Sequence, residues 1–547
     1  MIMHFSDESF EIKWTESYYG AMIKFIFTYK EREPMKKQKS KWKIVAGIIL
    51  ICQLMVSIIA GGILVWLNML PTKYTLLVVL ILVWLLTIVY YFFYSKVKKK
   101  KGKKLTAKKK KQKLYTKRSI GCAISAMTMT LCIAASSMMW QAGDAISNIT
   151  DHVVVTDMVS VYALADNSAE SVADIKDGVF AITQNYDFEH TKTTIDKINE
   201  NLGMEIKTQS FDTVFDMVDA LYAGNVDAII LNAAYVDVIE SQDDYKDFSD
   251  KTKTLYDHEV QSTVVKDNTD TTKNITQDPF VVYVSGSDTR NLKLATSRSD
   301  VNILAVVNPK SKQVLLLNTP RDYYVQTTVS GEMRDKLTHC GVYGIDCSMG
   351  TLGNLYQENV DYYVQINFNG FSTMIDAIGG ITIDSEKSFR TSEGGYYISQ
   401  GTNQLNGTVA LSYVRERKAF ADGDNARGRH QMQAIEAIIQ KVSSGTTVLN
   451  NYSAILNSME GMFTTNMSSS DISALVRMQL SDMASWNVKS FAVSGQGSSQ
   501  KTYSMPTKRS YVMYPDETQI NYARILVDKV IDGVILSDED MVMPTLQ

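Results

Sequence analysis

Cysteine is scarce, five in 547 residues. Three of the five, Cys52, Cys122 and Cys132, fall inside long apolar runs, where a thiol behaves as a small hydrophobe. The other two, Cys340 and Cys347, have only His339 nearby, too few ligands for a metal. Acid is missing from a whole region: no aspartate or glutamate stands between Glu33 and Asp144. No A-x-A-like cleavage site follows the first apolar run before the second begins, so that run reads as a retained anchor and not a cleaved signal. The rest of the chain lacks positive balance. Residues 1–141 take 24 of the 56 Lys and Arg and 6 of the 59 acids, leaving 32 basic against 53 acidic residues, about −21. A region that acidic is a poor DNA binder, and no nucleic-acid partner is expected.

Three uncharged runs are present: Ile44 to Leu67, Tyr74 to Tyr94 and Ile120 to Trp140. Each is long enough to cross a hydrocarbon core of roughly 30 Å. Orientation follows from lysine. MKKQKSKWK precedes the first run, and the loop 95–118 carries 14 Lys and Arg with no acid, so both are expected on the cytoplasmic side. The expected organisation is a cytoplasmic N-terminus (1–43), three membrane spans (44–141) and an extracellular remainder. The first 34 residues hold aromatics but no span, and Met35 followed by KKQKSKWK reads as a natural start, which makes the upstream stretch a candidate start artefact or disordered extension.

Between 150 and 265 strand-like and helix-like segments alternate, from MVSVYALA through HTKTTIDKINENLG and DTVFDMVDALYAGN to VDAIILNAAYV. Alternation of this kind predicts a small α/β domain with a partly parallel sheet. Its acids are scattered over predicted helix faces without converging, so it reads as a spacer or recognition domain. The polar stretch 266–279 predicts a linker. From Phe280 to the C-terminus, FVVYVSG, VNILAVV and QVLLLNT are continuous apolar runs, as expected of strands covered on both faces, and helices follow at FNGFSTMIDAIGG and ARGRHQMQAIEAIIQKV. A C-terminal α/β/α sandwich is the expectation.

Within that region polar motifs stand where strands and helices end, where open α/β sheets place ligands. They are GSDTR, SRSD, TPRD, YVRER and ARGRHQ, with Asp288, Arg298, Asp300, Arg321, Arg415, Arg417, Asp424, Arg427 and Gln431 as candidates. Any one arginine alone reads most simply as half of a surface ion pair. Gathered in one cleft, five arginines repel one another unless an anion or carboxylates offset them. A pyrophosphate is such an anion. Aspartates repel phosphate but suit Mg2+, so Asp288 and Asp300, twelve residues apart across a loop joining neighbouring strands, are expected to share one ion. Arg415 and Arg417 are expected to face one way on an extended segment, and Arg427 and Gln431 to share a helix face that excludes Arg429. His339 and Lys336 of KLTH are weaker candidates. Cys340 and Cys347, with Gly341 and Gly344 between them, are expected to form a disulfide across a turn.

The stretch from Phe280 to about Lys441 contains SGSDTR, RSDVNILAVVNPKSKQVLLLNTPRDYYV, KLTH, DYYVQINFNGFSTMIDAIGGI, LNGTVALSYVRER and DNARGRHQMQAI. It resembles the catalytic domain of the LytR-CpsA-Psr family of Gram-positive cell-wall glycopolymer ligases, and the upstream arrangement resembles the capsule-associated CpsA branch. The resemblance implies a membrane-anchored transferase that moves a glycopolymer, capsular polysaccharide in this branch, from a polyprenyl (pyro)phosphate carrier to peptidoglycan. Other capsule-synthesis proteins are possible partners. It implies phosphate contacts from Arg298, Arg321, Arg415, Arg417, Arg427 and Gln431, and Mg2+ on Asp288 and Asp300. Chemistry is expected from Asp300, Asp424 and Arg298, with either aspartate a candidate base. A lipid pyrophosphate hydrolase and a non-enzymatic regulator of capsule synthesis are the alternatives.

Overall fold

The computed structural model describes residues 35–96, 106–150, 153–185, 187–264, 273–287, 296–444 and 463–544. Three helices, α1 (Met35–Leu67), α2 (Thr72–Tyr94) and α3 (Ala107–Thr150), are long and apolar enough to cross a membrane over Lys41–Leu67, Thr72–Tyr94 and Ala107–Gln141. Trp42 and Phe93 meet edge-on, with ring centroids 5.4 Å apart. The expected third span is only the middle of α3. Lysine is a good helix former, so the helix extends back through Lys108 to Arg118, a stretch expected as loop.

The smaller domain is a five-stranded mixed sheet in the order β3-β2-β4-β1-β5, comprising β1 (Val153–Leu164), β2 (Val179–Thr183), β3 (Lys207–Phe211), β4 (Ala228–Asn232) and β5 (Thr252–Val264). β2 runs parallel to β3 and β4, and β1 antiparallel to β4 and β5. Helices α4 (Phe188–Leu202) and α5 (Val214–Tyr222) cover it. α5 starts at the cap of Thr213, whose hydroxyl accepts from Asp216 N–H at 3.1 Å. β5 is absent from the sequence expectation because Asp257, His258 and Glu259 stand between its buried Leu255 and Val260 and a bulge interrupts its pairing.

The larger domain centres on β6 (Phe280–Ser287), β7 (Ser299–Asn308) and β8 (Gln313–Asn318), an antiparallel meander. β9 (Tyr362–Asn367) adds parallel to β6 and β11 (Asn487–Ala492) parallel to β8; β10 (Phe463–Thr465) pairs outside β9. The strands alternate with period two. Val281, Tyr283, Leu304, Val306, Leu315 and Leu317 bury one way, against α6 (Ile345–Tyr356) and α11 (Glu517–Ile531). Phe280, Val282, Ile303, Ala305, Val314 and Leu316 bury the other way, against α9 (Asp424–Ser443) and α10 (Ser469–Asp482). Each such side chain contributes about 1.5–3 kcal/mol, so neither face can be left open. The α/β/α sandwich is therefore present, with α7 (Phe368–Ala377) and α8 (Gly407–Arg415) packed beyond it in a third apolar cluster.

Cys340 and Cys347 are both free thiols and both buried, which corrects the disulfide expectation. The break between them does occur: a 3-10 turn (Leu337–Tyr343) ends at Gly344, φ 101°, before α6 begins. Cys340 Sγ donates instead to Thr351 Oγ1 at 3.6 Å.

Candidate functional site

Strand register decides where the charges meet. Ile303 stands opposite Asn318, and the same register carried three residues onward sets Asp300 opposite Arg321. Arg321 Nη1 indeed donates to Asp300 Oδ1 at 2.8 Å. The turn after β8 is closed by Tyr323 N–H donating to the Pro320 carbonyl at 3.1 Å, and Thr338 N–H holds the Arg321 carbonyl at 2.8 Å. Arg427 arrives from the first turn of α9, its Nη1 3.9 Å from Asp300 Oδ2 and its Nη2 2.7 Å from Asp424 Oδ1. Helix and strand come this close because residue 428 is glycine. A Cβ there would lie 2.3 Å from Asn318 Nδ2.

These residues open onto a cavity of about 240 Å3. Its lining combines Arg298, Asp300, Arg321, Arg415, Arg417, Arg427 and Gln431 with the apolar side chains of Val284, Val301, Ile366, Phe368, Phe371, Leu411, Val414 and Ile435. Arg427 and Gln431 do share the helix face facing it, while Arg429 turns away to Asp422 and Glu386. Arg415 differs from expectation. It is the last residue of α8, a helix capped by Asn406, whose side chain accepts from Val409 N–H at 3.0 Å. The chain becomes extended only at Glu416 (φ −68°, ψ 130°), yet Arg415 and Arg417 both reach the cavity. The Arg415 guanidinium lies 4.2 Å from the Phe368 ring centroid and its Nη1 2.5 Å from Glu393.

Burial by itself would push the Asp300 carboxyl up, but Arg321, Arg427 and Arg298 outweigh it and hold it below the usual carboxylate range. Burial likewise opposes the charge of Arg321, and Asp300, Asp322 and Asp424 reverse that, raising its pKa. For Arg427 burial prevails and lowers it. The Nε atoms of Arg298 and Arg321 are buried and make no hydrogen bond among the described residues. Leaving such a donor unmet costs about 1–3 kcal/mol.

Asp424 is not part of the cavity lining; it sits at the N-terminus of α9, paired with Arg427. Asp288 lies outside the described residues. Lys336 is buried 3.5 Å from Asp322, and His339 is a core residue, its Nδ1 2.8 Å from Asp335 and 2.7 Å from Ser504 Oγ. Sequence reasoning missed Asp237, whose carboxylate stands 3.6 Å from Arg298 Nη2, and Glu393. Asp237 belongs to the smaller domain, 61 residues from its partner in sequence, and no local pattern signals such a contact. Asp300 is the one carboxylate lining the cavity among the described residues, where no cluster of three metal-ligating side chains occurs. Mg2+ takes one or two protein carboxylates plus substrate phosphates, so an ionised Asp300 fits such an ion when phosphate supplies further oxygens.

Residues 243–519, half of the chain, match the model of the LytR_cpsA_psr family. The chain is 36% identical over 198 residues to a polyisoprenyl-teichoic acid–peptidoglycan teichoic acid transferase, TagU, of Enterococcus faecalis, covering 36% of this chain and 64% of that protein. To the TagT transferase of Bacillus subtilis it is 35% identical over 205 residues, covering 36% and 62%. The matched region thus spans slightly less than two thirds of these relatives. The crystal structure of B. subtilis TagV shares 27% identity, over 47% of this chain and 98% of that one, with a TM-score of 0.40.

Proposed function

Since this chain belongs to the LytR_cpsA_psr family, we propose that it is a membrane-anchored transferase. In this reading it moves a glycopolymer from a polyprenyl (pyro)phosphate carrier onto peptidoglycan, outside the cell, with capsular polysaccharide as the glycopolymer. One observation carries the reading: a single cavity is lined by five arginines together with eight apolar side chains. A ligand matching both is an anion joined to a hydrocarbon chain. At about 240 Å3 the cavity is smaller than the roughly 300–1,000 Å3 of drug-sized ligand sites. It suits the phosphates and the first isoprene units, the rest of the tail staying in the bilayer to which the three apolar helices tie the chain.

In the transfer a sugar hydroxyl of peptidoglycan bonds to the donor's anomeric carbon or phosphorus. The bond to the carrier phosphate breaks, the carrier leaves with the electron pair, and the proton of the hydroxyl passes to water. Arg298, Arg321, Arg415, Arg417 and Arg427 stabilise the charge developing on the leaving phosphate. Mg2+, held by Asp300 and Asp288, would supply further charge neutralisation. Asp300 itself, kept ionised by its arginines, is a weak proton acceptor, since a useful base needs a pKa near the working pH. Its part is to hold cation and arginines in register.

The test is incubation of the full chain in detergent with a short lipid-linked glycan, Mg2+ and peptidoglycan fragments, the product identified by mass spectrometry. A glycan–peptidoglycan adduct is expected. Free glycan alone would point to a hydrolase, and wild-type capsule attachment by an Arg298→Ala, Arg321→Ala double variant would point to a regulator.

A further inference from the structure

The apolar cluster of the smaller domain is shared with the larger one: Val342 and Met505 belong to the same buried cluster as Val214, Phe215 and Tyr245. Lys508 adds an ion pair to Asp244 at 2.9 Å. Against this fixed seam lies the segment that brings Arg298 to the cavity. Asp157, on β1 of the smaller domain, accepts from Thr296 N–H at 2.8 Å and from Thr296 Oγ1 at 3.1 Å. Two residues on, Asp237 stands 3.6 Å from Arg298 Nη2. From the opposite side the 3-10 turn presses on the same segment through Gly341, where a Cβ would lie 2.4 Å from the Ser297 carbonyl and 2.6 Å from Ser299 N.

We propose that the smaller domain completes the phosphate cleft, with Asp157 as the positioning residue that holds the Thr296–Ser299 segment and thereby aims Arg298, and Asp237 as a secondary tether. Asp157 is 2% exposed. A carboxylate that deeply buried needs partners, and it spends two acceptor contacts on Thr296, in the segment of the other domain that leads into β7. Burial raises its pKa while the Thr296 bonds and His190, 3.5 Å away, work against that. Arg298 is otherwise weakly fixed, since its buried Nε makes no hydrogen bond among the described residues. The activity consequence rests on the transferase reading; the positioning itself does not.

Two measurements on the full chain separate the claims. Amide hydrogen exchange without ligand should speed up at least tenfold over Thr296–Ser299 in Asp157→Ala, with β6 and β8 unchanged. Exchange at the wild-type rate would overturn the positioning role whatever the protein binds. Calorimetry with farnesyl pyrophosphate should show about tenfold weaker binding in Asp157→Ala and in Arg298→Ala, and no further loss in the double variant, because a residue acting through Arg298 has nothing left to act on. Additive losses would overturn the proposal, since a merely structural role adds. If Asp157→Ala fails to fold, Thr296→Val, which removes only the hydroxyl bond, should give a twofold to threefold loss that Arg298→Ala again abolishes; an additive or absent effect overturns it equally. Wild-type failure to bind farnesyl pyrophosphate would sink the transferase reading and leave the exchange result to decide positioning.

Discussion

Both extramembrane domains are mixed α/β sheets with buried apolar faces, yet they treat charge in opposite ways. In the smaller one, ion pairs such as Lys197–Glu200 and Lys251–Asp247 lie on the surface. In the larger one Asp300, Arg321 and Arg427 are brought together at side-chain exposures of 12%, 18% and 9%. Buried ion pairs are seldom worth their desolvation for stability. A domain that concentrates charge where its neighbour disperses it has a ligand to meet, and the neighbour's own buried acid, Asp157, points to the same place.

The contrast can be broken most directly at Asp300. Asp300→Ala leaves Arg321 and Arg427 without their shared counter-charge. It should cost about 3 kcal/mol of stability in chemical denaturation and abolish transfer. Glu200→Ala, on an exposed pair, should leave the unfolding midpoint unchanged. Equal effects from the two substitutions would erase the distinction between the domains.

One histidine from each domain sharpens it further, because their pKa values move in opposite directions. His430, stacked on Tyr413 at 4.2 Å and boxed in by Phe389 and Phe420, is pushed by burial from 6.5 down to about 4. The unfolded chain then binds the proton more readily, so stability falls as pH drops from about 6.5 to about 4, by about 3 kcal/mol at most. In the smaller domain His190 is raised, chiefly by its hydrogen bond to Asp187. Its contribution is complete below pH 6.5 and is lost as pH rises through its folded value. Denaturation curves across pH for His430→Phe should lose the acid-side slope, and those for His190→Gln the neutral-side one. A single shared pH profile in both variants would contradict the assignment.

Smaller effects belong to the cavity's cations. Arg415→Ala should weaken farnesyl pyrophosphate binding by about 1.5–3 kcal/mol, the worth of a charge-assisted hydrogen bond. Arg429→Ala should leave that binding unchanged and alter stability by less than about 1 kcal/mol, since Arg429 is 39% exposed and pairs only with Asp422 and Glu386 on the surface. Calorimetry on the two variants side by side checks both.

Much of this was legible from residue order. Apolar runs of spanning length, strands reading as unbroken hydrophobic stretches and the i, i+4 relation of Arg427 and Gln431 depend on period and composition, which local physics sets. The strand β5 was hidden because Asp257, His258 and Glu259 stand between Leu255 and Val260 and a bulge interrupts its pairing, and the helix ending at Arg415 because YVRER reads equally well as extended chain. The scattered acids of the smaller domain gave no sign that Asp157 and Asp237 face the other domain.

The sequence by itself determined the three apolar helices, the α/β character of both domains and the presence of arginines where strands and helices end, because each follows from residue type and spacing. Only the tertiary structure decided which of them meet. Register put Asp300 across from Arg321, Gly428 let α9 reach β8, and the apolar seam through Val342 and Met505 brought Asp157 to Thr296. The Asp157–Thr296 contact alone joins residues 139 positions apart. Their closeness is a property of the packed core, where backbones approach as far as the side chains between them allow, and no stretch of chain carries it alone.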